Sequence, residues 1–220
     1  MKTAIVVGAT GAIGKQLLYQ LLEHSDYLRV FAITRKPLPI KHHKLTNQVV
    51  DFNQLGNALQ QLQADVAYCC LGTTMKQAGS KEAFYQVDYS YVYQFAQQLK
   101  QNQVNSFVMV SAMGAHSQSS IFYNKVKGEI EEAVKNLQFE STIIVRPSLL
   151  LAKRSEFRLG EWIAQKLMRL LGFLFMGPLK NYKAIPVQTV ASAMVNLAHA
   201  NNKGISIVEN AALFEWSKKI

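Results

Sequence analysis

Short apolar runs rich in β-branched residues alternate with amphipathic stretches along most of the chain. The first run, "TAIVV" (3–7), stops at Gly8 and predicts a strand. From Ala12 to Glu23 the period changes. Ile13, Leu17, Leu18, Leu21 and Leu22 recur at helical spacing, so one stripe of this segment faces a core. Further strands are predicted at 28–34 ("LRVFAIT"), 48–50 ("QVV"), 64–72 ("ADVAYCCLG"), 104–111 ("VNSFVMVS") and 141–147 ("STIIVRP"). Polar-faced helical segments at 53–63, 80–102 and 120–137 separate most of them. Apolar strands alternating with helices predict an α/β protein whose parallel sheet is covered on both faces. A glycine-rich turn after the first strand makes this a doubly wound, Rossmann-type sheet. Residues 152–186 read as a helix-like segment with loops, a small C-terminal lid on a single domain spanning 1–220. A last strand is expected at 204–210 and a closing helix over 211–219.

Composition narrows this picture. A chain of 220 residues, 49% hydrophobic, suits one domain with a sizeable core. The formal net charge of +10 permits nucleic acid, an anionic membrane or an anionic cofactor as partner. The basic residues are scattered, with a local excess between Lys153 and Lys183 and no basic tail, which argues against nucleic acid. That excess suits an anionic substrate, a solvated helix face, a membrane surface or a protein partner. The most apolar later stretch, "LLGFLFMGPL" (170–179), is about half a membrane span, so no transmembrane segment is expected. The N-terminal apolar run is too short and too glycine-broken for a secretory signal. Cys69 and Cys70 are adjacent within an apolar run and read as buried free thiols without metal-ligand spacing. A reducing, cytoplasmic setting follows.

The first turn reads "VGATGAIG". Gly8, Gly11 and Gly14 follow a strand and open a helix. Small residues there let the backbone of Gly8, Thr10, Gly11, Ala12, Ile13 and Gly14 approach a pyrophosphate, whose charge the free N–H groups at a helix start attract. An NAD site usually carries Asp or Glu at the end of the second strand. Here that place reads "ITRKPL", with Arg35 and Lys36 and no carboxylate. A carboxylate repels a 2′-phosphate and an arginine forks onto it, so NADP(H) is favoured; the competing account is a pair of solvated loop cations. Asp51, followed by Phe52, is a candidate for the adenine end of the cofactor or, equally, the cap of the next helix.

The stretch "IFYNKVKGEIEEAV" (121–134) carries Tyr123 and, four residues on, Lys127. That spacing places both on one helix face, at the start of a helix that begins at the carboxyl edge of the sheet. Carbonyl reduction needs a proton donor. Lowering a tyrosine by about 3 pKa units takes roughly 4 kcal/mol of preferential stabilisation of the phenolate. A nearby ammonium in a poorly solvated site supplies it. The competing account is two residues on a solvated helix face.

Taken together, "GATGAIG", "CCLGTT", "SAMGA", "YNKVK", "VKGEIE", "RPSLLL" and "IPVQTVASAM" resemble the atypical, extended short-chain dehydrogenase/reductases, and within them the Tat-interacting-protein-like oxidoreductases. The resemblance runs from Thr3 to about Asn210. It implies an NADP(H)-binding Rossmann domain in which Tyr123 is the acid–base and Lys127 its ribose-binding partner. It matches Ser111 to the hydroxyl that polarises the substrate carbonyl, against a turn-satisfied serine as the alternative. It also implies cofactor contacts at Leu71, Gly72, Thr73 and Thr74 and at Arg146, Pro147 and Ser148. The helix at 80–102, with Tyr85, Tyr89, Tyr91 and Tyr93, suits either homodimer packing or a monomer core. The leading reading is a reductase of a small carbonyl or sugar-like substrate; the other is an NADP(H)-sensing regulator that binds a protein partner.

Overall fold

The computed structural model describes residues 1–151, 181–200 and 202–219. Seven parallel strands form one sheet: β1 (Lys2–Val7), β2 (Tyr27–Thr34), β3 (Leu45–Val49), β4 (Val66–Cys69), β5 (Ser106–Val110), β6 (Ser141–Arg146) and β9 (Gly204–Glu209). Their spatial order is β3-β2-β1-β4-β5-β6-β9. The order reverses between β1 and β4, so the chain leaves these two neighbours in opposite directions and a crevice opens beyond their carboxyl ends. The expected doubly wound Rossmann sheet is therefore present. Two short strands, β7 (Leu150–Leu151) and β8 (Ile185–Pro186), pair separately. The lid expected over 152–186 lies outside the described residues from 152 to 180.

Helices cover both faces. Leu17, Leu18, Leu21 and Leu22 of α1 (Ala12–Glu23) share one core with Val190, Ala191 and Met194 of α7 (Val187–His199) and Leu213 of α8 (Asn210–Trp216). Leu55 and Leu59 of α2 (Leu55–Leu59) share the opposite core with Phe95 and Leu99 of α5 (Tyr91–Gln101) and with Ile130 and Val134 of α6 (Phe122–Asn136). Each of the larger side chains here (Val, Leu, Ile, Met, Phe), taken fully out of water, contributes about 1.5–3 kcal/mol. The centres of β1, β4, β5 and β6 are buried on both faces, which is why they read as apolar runs.

Three segments differ from the sequence expectation. The third strand starts at Leu45 rather than 48, because Asn47 bonds the Ala32 carbonyl and the Thr34 hydroxyl and so replaces apolar packing at this sheet border. The helix expected over 53–63 is a 3-10 turn (Phe52–Gln54) followed by one turn of α-helix. The single helix expected over 80–102 is α4 (Lys81–Tyr85), a π-helical turn (Gln86–Ser90) and α5; a short α3 (Met75–Ala78) precedes them. Isolated π turns often mark functional positions, and this one contains Asp88 at 0% exposure.

Candidate cofactor and acid–base site

The Gly8 turn is built for close approach. Gly8 has φ +81°, and a Cβ on it would lie 2.4 Å from the Cys70 carbonyl oxygen. A Cβ on Gly14 would lie 2.2 Å from the Gly8 carbonyl oxygen, so α1 packs on the turn only because Gly14 has no side chain. The Gly11 N–H donates to the Gly8 carbonyl at 3.0 Å, and Gly11 caps α1 without a side-chain hydrogen bond. The first intrahelical donor of α1 is Lys15, at 2.9 Å from the Gly11 carbonyl. The amides of Ala12, Ile13 and Gly14 therefore have no partner within the helix and face the crevice between β1 and β4. This cradle fits a pyrophosphate.

Arg35 and Lys36 follow β2 and are exposed. The Arg35 guanidinium lies 5.8 Å from the centroid of the Phe52 ring, which supports its planar face beside the β2 end. The Thr34 hydroxyl donates to the Lys36 carbonyl at 2.7 Å and holds the loop in place. Asp51 accepts from the Asn53 N–H at 3.0 Å, so the carboxylate acts as a turn cap.

The third group follows β4. Leu71, Gly72 and Thr73 line the turn, and Thr74 caps α3 by accepting from the Gln77 N–H at 3.2 Å. The Thr73 N–H donates to Asp88 Oδ2 at 2.8 Å, while Asp88 Oδ1 meets Lys127 Nζ at 2.6 Å. That ionic contact is close but not aligned as a hydrogen bond. Lys127 is 4% exposed. Burial opposes its charge, but the Asp88 carboxylate and the field of Tyr123 outweigh burial and hold its pKa above the ordinary lysine value. Tyr123 is half-buried one helical turn earlier on α6, its ring against Phe84 with centroids 5.5 Å apart. The loop before α6 crosses the helix at Gly128, where a Cβ would meet the Ser117 nitrogen at 2.1 Å. This close crossing fixes the α6 start against the end of β5.

A second ion cluster adjoins the first. Arg146, at the end of β6, forks onto Glu131 of α6 at 3.0 and 2.6 Å and reaches Glu209 of β9 at 3.0 Å. The Glu131 hydrogen bonds raise the Arg146 pKa further above its already high value. The Ser111 hydroxyl donates to Glu131 at 2.5 Å and is buried. Its hydroxyl is therefore committed to the Glu131 carboxylate, in the network between β5, α6 and β6, and not to the backbone of its own turn. The Arg146 guanidinium is likewise taken up within the fold. Pro147 accepts from the Met113 N–H at 3.1 Å, and Ser148 is fixed through Asn210 and the Lys183 carbonyl. This turn offers a cofactor its backbone and its shape.

Each expected residue thus lies at or after the carboxyl end of a strand, with Ser111 and Arg146 turned into the internal ion cluster. Sequence reading missed Asp88 and Glu131. Both stood in plain sight as acids on apolar helical stripes: Phe84, Asp88 and Val92 on one, Ile130, Glu131 and Val134 on the other. A charge on a buried stripe needs a partner, and that requirement was the available signal. Tyr89 and Tyr93 stack at 6.2 Å and, with Tyr91, pack on the core, which supports the core account for these three. Tyr85 is 36% exposed.

Residues 8–201 match the family model described as NAD(P)H-binding. The rat protein HTATIP2 is 36% identical over 226 aligned residues, 99% of this chain and 90% of the relative. The mitochondrial protein FMP52 of Debaryomyces hansenii is 30% identical over 200 residues, covering 89% of this chain and 87% of the relative. A solved oxidoreductase of the short-chain dehydrogenase/reductase family from Burkholderia thailandensis superposes with a TM-score of 0.66 at 18% identity, covering 97% of this chain and 93% of that one. The chain belongs to the NAD(P)H-binding family, as an atypical short-chain dehydrogenase/reductase of the type of HTATIP2. No described helix is long and apolar enough to cross a membrane.

Proposed function

We propose that this protein is an NADP(H)-dependent reductase of a small carbonyl or sugar-like substrate, with Tyr123 as proton donor. The observation that carries this reading is Lys127, a buried ammonium on the same helix face as Tyr123, at the cofactor edge of the sheet. The Gly8–Gly14 cradle would hold the pyrophosphate, the Leu71–Thr74 and Arg146–Ser148 turns would flank the nicotinamide half, and Arg35 would meet the 2′-phosphate. When bound, the nicotinamide supplies or accepts hydride. Tyr123 holds the proton at its Oη and releases it to the substrate oxygen. Lys127 stabilises the phenolate left behind, in a site where burial makes that attraction strong. Ser111 keeps a supporting role through Glu131. A homodimer through α4–α6 and a reducing, cytoplasmic setting complete the reading; light scattering and cell fractionation test these two.

The central test is a panel of aldehydes and ketones followed by NADPH absorbance. Tyr123→Phe should lose about 10²–10⁴-fold in turnover while binding NADPH as before, since only the hydroxyl is removed. Lys127→Ala should weaken both turnover and binding. Equal rates for wild type and Tyr123→Phe would overturn the catalytic reading. Tight NADPH binding with no turnover, together with nucleotide-dependent capture of a protein partner, would replace it by a sensing role.

A further inference from the structure

We infer that Asp88 is a positioning residue of the acid–base site: its buried carboxylate keeps Lys127 charged and ties it to the turn that follows β4. This rests on the reading of Tyr123 and Lys127 given above and deepens it.

The argument starts from the π turn. A regular helix through 81–101 would carry one residue fewer per turn at 86–90; the wider turn sits where Asp88 faces inward between Phe84 and Val92. The two carboxylate oxygens then do different work. Oδ2 accepts from the Thr73 N–H at 2.8 Å, and Oδ1 faces Lys127 Nζ at 2.6 Å. Asp88 so links three elements: the π turn, the β4 turn and α6. Gly72 completes the arrangement. A Cβ there would lie 3.4 Å from Asp88 Oδ1 and 3.6 Å from Lys127 Nζ, so the β4 turn packs directly on the buried pair.

Charge decides what this arrangement does. A lone ammonium at 4% exposure loses its hydration and sheds its proton or swings out to water. Among the described residues Asp88 is the one carboxylate within ion-pair distance of Lys127. The other titratable groups facing it are Tyr123 on α6 and Cys69 on β4. Cys69 supplies no charge near neutrality, because burial pushes its thiol up to about 12. The cation that serves Tyr123 therefore depends on Asp88. A simple sum of charges gives the opposite expectation: removing a nearby carboxylate would make the phenolate easier to form.

The experiment separates these. Tyrosine labelled with ¹³C at Cζ is titrated by NMR in the NADP⁺-bound protein, with Tyr123→Phe assigning the resonance. Asp88→Asn keeps an acceptor for Thr73 and removes only the charge. In that variant the Tyr123 midpoint should rise by about one pH unit or more, a tenfold loss of phenolate below the midpoint. An unchanged or lowered midpoint overturns the inference. Asp88→Asn combined with Lys127→Met should give the same raised midpoint, and a distinctly higher one in the double variant overturns it too. Should Asp88→Asn fail to fold, ¹³C titration of the wild-type lysines replaces it. Lys127 should hold its proton beyond the exposed lysines, and a midpoint below theirs overturns the inference. These readouts need no substrate. A raised midpoint in Asp88→Asn, beside an unimpaired Tyr123→Phe in the carbonyl assay, supports the role of Asp88 and removes the catalytic reading alone.

Discussion

The two edges of the sheet both carry tyrosines, and they give them different surroundings. At the amino edge the Tyr27 hydroxyl meets that of Tyr68 at 2.8 Å. Burial pushes Tyr27 up to about 12 and Tyr68 well above the ordinary value. Among the described residues no cation is paired with them, so both phenols stay protonated and serve as packing. His24 and His199 stack beside them with centroids 4.6 Å apart. At the carboxyl edge Tyr123 is half-buried one turn from a charged Lys127. Burial alone disfavours a phenolate, whereas the carboxyl edge places a buried ammonium on the helix face that carries Tyr123.

The comparison can be broken most forcefully at the second ion cluster. Arg146→Met leaves Glu131 buried without its cation and should destabilise the protein by about 3–5 kcal/mol in denaturant titration. Replacing Glu131 by Gln and Arg146 by Met together should recover part of that loss. A neutral Arg146→Met would mean that this cluster contributes no stability, and the division of labour between the two ion clusters of α6 would fall.

Next in size is Arg35. It stands exposed over Phe52, so Arg35→Ala should leave stability unchanged and weaken NADPH by about 1.5–3 kcal/mol, roughly ten- to a hundredfold, with little effect on NADH. Calorimetric titration with both nucleotides checks it. Equal affinities in the unmodified protein would remove the NADP(H) preference altogether.

The smallest effect belongs to the amino edge. Burial, then Lys2 and His24, lower the His199 pKa, against the pull of Asp26. A base with a depressed folded pKa takes up fewer protons than the unfolded chain. Stability is then fully present above the unfolded value near 6.5 and is lost as pH falls through that value toward the folded one. His199→Gln should flatten the fall in Tm between pH 7.5 and 5.5 by a few degrees, leaving Tyr123 titration untouched. An unchanged slope would show that acid sensitivity arises elsewhere.

Much of the fold was legible. The period change at Ala12 located α1 to the residue, and the apolar runs located the central strands β1, β4, β5 and β6, because a strand buried on both faces has few polar positions to blur it; the half-exposed border strand β3 was placed late. The glycine turn, Arg35 and the Tyr123–Lys127 spacing were readable for a similar reason: each depends on neighbours in sequence. Helix 80–102 was not, since its π turn answers to a partner some forty residues away. Ser111 was ambiguous for the same cause. Its hydroxyl looked available until Glu131 and Arg146 converged on it from α6 and β6. Local chemistry therefore marked out candidates for dinucleotide binding and proton transfer. Tertiary structure alone decided which charges meet in the interior, because a buried charge is stable only beside its counter-ion, and that pairing is made by the packing of elements remote in the chain.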